Sequence, residues 1–338
     1  MTTQHFLFFA PLLALLLAAD CAPDKQRILG VTLVAPREKG EGNPLLPAKE
    51  MGFGWMAIVP YGFVQKDSAR VRYAETAHKV MWGERPEGIR ASVHWAREQG
   101  MKTMLKPQVW SGRTWIGALS FQQESDWQRF EDSYARYILQ MADIAQEEGI
   151  EMLCIGTELS NASMQRIGFW RGLIADIRKV YKGKLTYSAN WDNWEQVPFW
   201  RDLDFIGLGS YFPLSQSPMP TLDSLRLAWQ PLAARMETMS KALNKPVLFT
   251  EMGYLGVPGC CGRLWELEPK RDELPVDVAC QARAFEALLS VFMQKDWWAG
   301  GFVWKYYPQP HMRPRHGDKD YDIQGKPVGE VFRKALRE

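Results

Sequence analysis

Two glutamates stand where apolar runs end. Val247-Leu248-Phe249-Thr250 runs into Glu251, with Gly253 two places on, and Met152-Leu153-Cys154-Ile155-Gly156-Thr157 runs into Glu158. A short apolar run without alternation is how a strand buried on both faces reads. A carboxylate at the end of such a strand is costly unless it meets a polar pocket. Two carboxylates held about 5–5.5 Å apart can carry out double displacement at a sugar carbon. One attacks the anomeric carbon; the other protonates the leaving oxygen and then deprotonates water. The expectation is Glu251 as nucleophile and Glu158 as acid/base, with the acid raised in pKa by burial and by the nearby anion. Either glutamate alone reads as the partner of a neighbouring Arg or Lys; the matched pair favours chemistry.

Such a pair needs a scaffold that points both strand ends at one place. Strand-like stretches fall at 28–35, 55–61, 102–109, 150–158, 184–190, 203–211, 246–251 and 300–304. Helix-like stretches fall between them at 88–99, 125–148, 163–181, 222–243 and 276–294, and 328–336 closes the chain. Pro231 predicts a kink or break in the fourth of these helices. The alternation predicts an α/β fold, a single (β/α)₈ TIM barrel over residues 28–338. A doubly wound open sheet is the rival, but no G-x-G-x-x-G follows the first strand.

Barrel chemistry gathers at the C-terminal strand ends. There the sequence places Lys106 and Trp110, Glu158, Asn190 and Trp191, Tyr211, Glu251, and Trp304. Amides, a phenol and flat indoles around two carboxylates suit a carbohydrate. Tyr211 is positioned to donate a hydrogen bond to Glu251. Lys106 reads as a carboxylate partner ahead of a sugar ligand. Trp304 is the candidate floor under the reacting sugar, and Trp110 and Trp191 are candidate platforms. Glu151 opens the fourth strand at its opposite end and is left out of the site.

Composition narrows the classes. The 338 residues carry a net charge of +2 with no long run of one sign, which excludes the basic face of a nucleic-acid binder. The 15 Trp divide between a filled core and a sugar-binding cleft. The five Cys match no zinc spacing, and Cys260 and Cys261 read as reduced thiols. His311, His316, Asp318, Asp320 and Asp322 read as a solvated loop. No metal and no cofactor is expected, the partner is an oligo- or polysaccharide substrate, and the chain is expected to be a monomer. Residues 1–20 read as a secretion signal, with the apolar run 6–19 too short to span a membrane. Cys21 follows Ala18-Ala19-Asp20, so lipidation and membrane attachment at Cys21 stand beside plain secretion.

Four motifs carry a family resemblance. Ile155-Gly156-Thr157-Glu158-Leu159, Asp204-Phe205-Ile206-Gly207, Phe249-Thr250-Glu251-Met252-Gly253-Tyr254 and Gly301-Phe302-Val303-Trp304-Lys305 resemble glycoside hydrolase family 113, in the clan of retaining (β/α)₈ glycosidases. The similarity runs from about residue 28 to the end, including Gln324-Gly325-Lys326-Pro327-Val328. It implies endo-β-1,4-mannanase activity, with Glu158 as acid/base and Glu251 as nucleophile. The clan places Asn before the acid/base to hold the sugar 2-hydroxyl. Thr157 stands here instead, and Asn190 is the candidate for that contact. The loop 257–265, with Cys260, Cys261 and Trp265, is the departure from the family and a candidate subsite wall.

Two rivals share the same residues. A non-catalytic sugar-binding barrel would need no glutamate pair, and fold alone does not establish activity. A transglycosylase would use both glutamates and differ only in what resolves the intermediate.

Overall fold

The apolar runs close on themselves. In the computed structural model, which describes residues 27–65, 68–74, 80–112, 114–313 and 315–337, eight parallel strands form one barrel. They are β1 Ile28–Leu33, β2 Trp55–Ile58, β3 Lys102–Leu105, β4 Met152–Thr157, β5 Lys184–Ser188, β6 Ile206–Gly209, β7 Val247–Met252 and β8 Trp298–Tyr306. Each pairs with its neighbours in chain order, and β1 pairs with β8. The Ala189–Leu208 bridge closes the last gap, between β5 and β6. The fold is therefore a (β/α)₈ barrel. The signal-like segment and Cys21 lie outside the described residues.

Around the barrel run α1 Pro86–Glu98, α2 Glu124–Glu147, α3 Ile167–Val180, α4 Leu222–Leu243, α5 Val278–Phe292 and α6 Val328–Ala335. Each buries one face. In α2, Trp127, Phe130, Tyr134, Tyr137, Ile138 and Met141 recur at helical spacing and are all buried. Inside the barrel, Ala57, Met104, Met152, Cys154, Leu248 and Phe302 make a separate apolar cluster, so Cys154 is a core residue. Both faces of β4 and β7 are thus covered, and every residue of those two strands is buried. That is why they read as continuous apolar runs.

Three expectations are corrected. The strand expected over 102–109 stops at Leu105, and Gln108–Trp110 leaves the barrel. It joins Tyr61–Gln65 and Arg70–Arg72 in a three-stranded sheet. Pro60 and Pro107 lack the N–H that would carry β2 and β3 onward. The helix expected over 163–181 is divided at Arg166 into Ser160–Gln165 and Ile167–Val180. Helix α4, by contrast, runs unbroken through Pro231. Pro231 and Leu227, whose carbonyl its ring faces, are both exposed, and solvent there can bond the freed carbonyl.

The loop after β8 is not simply solvated. His311 is exposed, but Asp320 and Asp322 are buried. Asp320 accepts from the Tyr307 hydroxyl at 2.8 Å and pairs with Arg271 at 3.3 Å and Lys305 at 3.5 Å. Asp322 pairs with Arg313 at 2.7 Å and Lys326 at 3.1 Å. The loop folds back on the segment following β7, where Gly256 N–H donates to the Lys319 carbonyl. Charges taken out of water must pair, and these do so internally.

Candidate active site

Strand β7 delivers Glu251 to the barrel mouth with its side chain largely buried. Three donors converge on it. The Lys106 ammonium and the Gln108 amide, the latter at 2.8 Å, both meet Oε1. The Tyr211 hydroxyl donates to Oε2 at 2.9 Å. Lys106 is fully buried, so its charge is answered by Glu251. Its ammonium also lies 5.3 Å from the centroid of the Trp304 ring. Burial, and then the charge of Glu251, pushes the Tyr211 phenol well above its usual range, so it stays a donor.

Strand β4 delivers Glu158 differently. Its backbone sits at φ 54°, in the left-handed region that a non-glycine residue rarely occupies. The Glu158 N–H still donates to the Ser188 carbonyl at 2.8 Å, which ties the turn to β5. Its carboxylate accepts the Trp115 indole N–H at 3.0 Å. Burial, followed by the charge of Glu251, raises the Glu158 pKa to about 7, against the lowering effects of Trp115 and Lys106. A proton therefore resides on Glu158 near neutrality, and the cause includes the other glutamate.

The glycine of the Glu-x-Gly-Tyr motif has a packing reason. A Cβ at Gly253 would lie 2.8 Å from the Trp304 carbonyl oxygen, so only glycine lets the end of β8 pack beside the end of β7. That contact sets Trp304, half-buried, next to the pair. The Trp304–Lys305 peptide bond is cis.

The remaining expected residues sit at varied removes. Trp191 stacks on Trp265 with centroids 5.3 Å apart and planes 12° apart. The Asn190 amide donates to Asp192 at 2.9 Å and makes no hydrogen bond to either glutamate. Trp110 is exposed, and its indole N–H donates to the Gly112 carbonyl. Sequence reasoning passed over two contributors, Gln108 and Trp115, and placed Trp265 only in a candidate subsite wall. Gln108 had a visible signal, because in the strand expected over 102–109 it would share a face with Lys106 two places before it. Trp115 lies in an irregular segment and Trp265 in the short helix Leu264–Leu267, where no sustained period marks the direction of a side chain.

The tryptophans divide between core and surface. Trp170, Trp194, Trp200, Trp229 and Trp298 are fully buried, whereas Trp110, Trp115 and Trp265 are exposed.

A cavity of about 360 Å³ opens at the opposite end of the barrel, lined by Trp55, Lys102, Glu151, Lys184 and Phe205 among others. Its carboxylate, Glu151, is committed to the Thr103 N–H at 2.8 Å and the Thr103 hydroxyl at 3.1 Å. It holds no acid–base pair, so the chemistry belongs to the other face.

Residues 43–326 match the model of Glycoside Hydrolase Family 113. The chain belongs to glycoside hydrolase family 113. It is therefore a glycoside hydrolase on a retaining-clan barrel. The family 113 β-mannanase of Alicyclobacillus acidocaldarius, solved in complex with ManMIm, is similar at 25% identity and TM-score 0.76, covering 92% of this chain and 97% of that one. A complex structure of a family 113 β-1,4-mannanase superposes with TM-score 0.77 at 23% identity, over 92% of this chain and 99% of the other. The β-glucuronidase of Ruminococcus gnavus shares the barrel at 13% identity and TM-score 0.59, over 92% of this hydrolase and 50% of that chain. No curated protein matches the sequence.

Proposed function

We propose that the enzyme hydrolyses β-1,4-linked mannan or a related β-hexose polymer with retention, using Glu251 as nucleophile and Glu158 as acid/base. The observation that carries this reading is the asymmetry of the pair. Glu251 receives an ammonium, an amide and a phenol, all donors that suit a carboxylate. Glu158 is raised to about 7 and holds the proton a leaving oxygen needs. The likeness to the Alicyclobacillus β-mannanase supports the sugar.

In the first step a Glu251 oxygen bonds to the anomeric carbon as the glycosidic bond breaks. The proton of Glu158 passes to the departing oxygen. Forming the ester removes the Glu251 charge, and with it one cause of the raised Glu158 pKa. Glu158 is then a carboxylate able to take a proton from water, whose oxygen attacks the same carbon and frees Glu251. Lys106 and Tyr211 act as positioning residues, holding the attacking carboxylate at the mouth. Trp304 offers an apolar face to the reacting sugar. Trp191 with Trp265 forms a platform for a neighbouring one, and Trp110 serves a more distant unit. Asn190 supplies the 2-hydroxyl contact after giving up Asp192. We further propose that the chain is exported through its first 20 residues, with Cys21 as the lipid attachment point.

Hydrolysis of manno-, gluco- and mixed β-1,4-oligosaccharides, with the product anomer followed by NMR, tests the reading. Cleavage of the mannose-linked members with initial β-product is expected. Initial α-product would overturn the nucleophile role of Glu251, and preference for the gluco series would overturn the sugar.

A further inference from the structure

Three cysteines distant in sequence meet in the fold. Cys260 and Cys261 lie in the loop after β7, and Cys280 lies in the first turn of α5, where its N–H donates to the capping Asp277 at 2.9 Å. All three are buried free thiols, with their sulfurs within 4.8 Å of one another. Cys260 Sγ is 3.9 Å from Cys261 Sγ and 3.2 Å from Cys280 Sγ. We propose that Cys260 and Cys280 form a disulfide that fastens the loop after the nucleophile strand to α5, with Cys261 left as a thiol.

Geometry selects the pair. A disulfide needs about 2.05 Å between sulfurs, so Cys260 and Cys280 close from 3.2 Å by a movement of about 1.2 Å. A bridge between the neighbours Cys260 and Cys261 would span Cα atoms about 3.8 Å apart, below the usual range of about 4.4–6.8 Å. The Cys261 backbone is also held, since its carbonyl accepts Leu214 N–H at 2.7 Å and Ser215 N–H at 3.1 Å. Cys280 is the natural attacking thiol. Its place in the first turn of α5 favours the thiolate there. A structural zinc ion would want four ligands, and among the described residues the cluster offers three.

Bond formation belongs to folding, before the loop closes over the thiols. The oxidant is an external disulfide, from a thiol oxidase or oxidised glutathione. The Cys260 thiolate attacks it, forming a mixed disulfide and expelling one thiolate. The Cys280 thiolate then attacks the Cys260 sulfur and expels the second. Two protons leave the protein, and its two electrons end on the oxidant, now two thiols. The bond closes a loop that includes Trp265, the ring stacked on Trp191. It thus ties a wall of the sugar cleft to the barrel's outer layer.

The experiment refolds the full chain in a glutathione redox buffer, blocks free thiols, digests with trypsin without reduction and maps the peptides by mass. Residues 242–263 and 272–283 are expected as one linked species, two hydrogens lighter than the sum of the two peptides. Cys261→Ser keeps the link and Cys280→Ser abolishes it. Reduction lowers Tm by about 5 °C. Separate peptides carrying three blocked cysteines would overturn the proposal, as would loss of the link in Cys261→Ser. A stoichiometric metal ion whose removal by chelator exposes three thiols would replace it with a thiolate metal site. One consequence rests on the mannan reading: Cys280→Ser raises KM for mannohexaose several-fold with kcat little changed. If no mannan is cleaved, that reading fails, while the peptide map still decides the disulfide.

Discussion

The ends of β4 and β7 present the same side chain to the same cleft, yet they are built in opposite ways. Glu251 stays in extended backbone at the end of a fully buried strand, and its oxygens are spoken for by Lys106, Gln108 and Tyr211. Glu158 sits in a strained left-handed turn, and among the described residues the hydrogen bond to its carboxylate comes from Trp115, a half-exposed loop indole. In the proposed mechanism this contrast gives one residue type two roles. Dense donors favour an anion fixed in place; sparse donors, burial and a like charge favour a proton that can leave. The strain at Glu158 belongs to the same pattern, since unfavourable backbone persists where the surroundings over-determine it.

The largest effect should come from removing the anion. Glu251→Ala is expected to lower kcat on manno-oligosaccharides by roughly 10⁴-fold or more, with azide restoring turnover through a glycosyl azide of inverted configuration. Turnover near wild type would end the contrast. Glu158→Gln should lower kcat on natural substrate by about 10²–10⁴-fold. It should leave formation of the glycosyl-enzyme nearly intact for a dinitrophenyl leaving group, which needs no proton. Equal losses on both substrates would mean that Glu158 does not deliver the proton.

A smaller loss probes the donors. Lys106→Met should cost about 10²-fold in kcat and Tyr211→Phe about 10-fold, both with KM little changed, because each orients the carboxylate without binding sugar. A rise in KM at constant kcat would recast them as sugar ligands. For the wild type, activity should fall as pH rises through about 7, because the protonated form of Glu158 is the acid. Glu158→Gln should lose that limb while keeping its residual rate.

The smallest effect concerns stability, and its sign follows from linkage. The folded Glu158 holds its proton to about 7 against a usual 4.5, so the folded state binds more protons in that window and wild-type stability falls as pH rises through it. Glu158→Gln carries no such penalty. Its advantage in urea unfolding should be near zero at pH 4 and grow to about 3 kcal/mol by pH 8. An advantage independent of pH would mean that relief of backbone strain, or packing, is responsible instead.

Much of this was legible in the chain. The continuous apolar runs of β4 and β7 announced strands buried on both faces, and their terminal glutamates marked the candidate site. Tyr211 and Lys106 were readable as partners of Glu251 because each stands at the C-terminal end of an apolar run, where a barrel opens its mouth. Errors fell where local rules compete. Prolines ended β2 and β3 early, yet Pro231 did not end α4, because solvent answers a freed carbonyl on an exposed face and nothing does inside a ladder. Asp320 and Asp322 looked solvated in a charge-rich loop, and their cations became visible only when the loop folded back over the segment following β7.

The sequence alone determined the alternation of elements, the barrel and the two carboxylates, because burial and hydrogen bonding impose periods that can be read residue by residue. The tertiary structure decided which groups touch them. Gln108 on Glu251, Trp115 on Glu158, Trp265 on Trp191 and Cys280 beside Cys260 are meetings between segments up to 143 positions apart. Such contacts follow from the closure of the barrel and the course of its loops, for which one-dimensional spacing carries little signal.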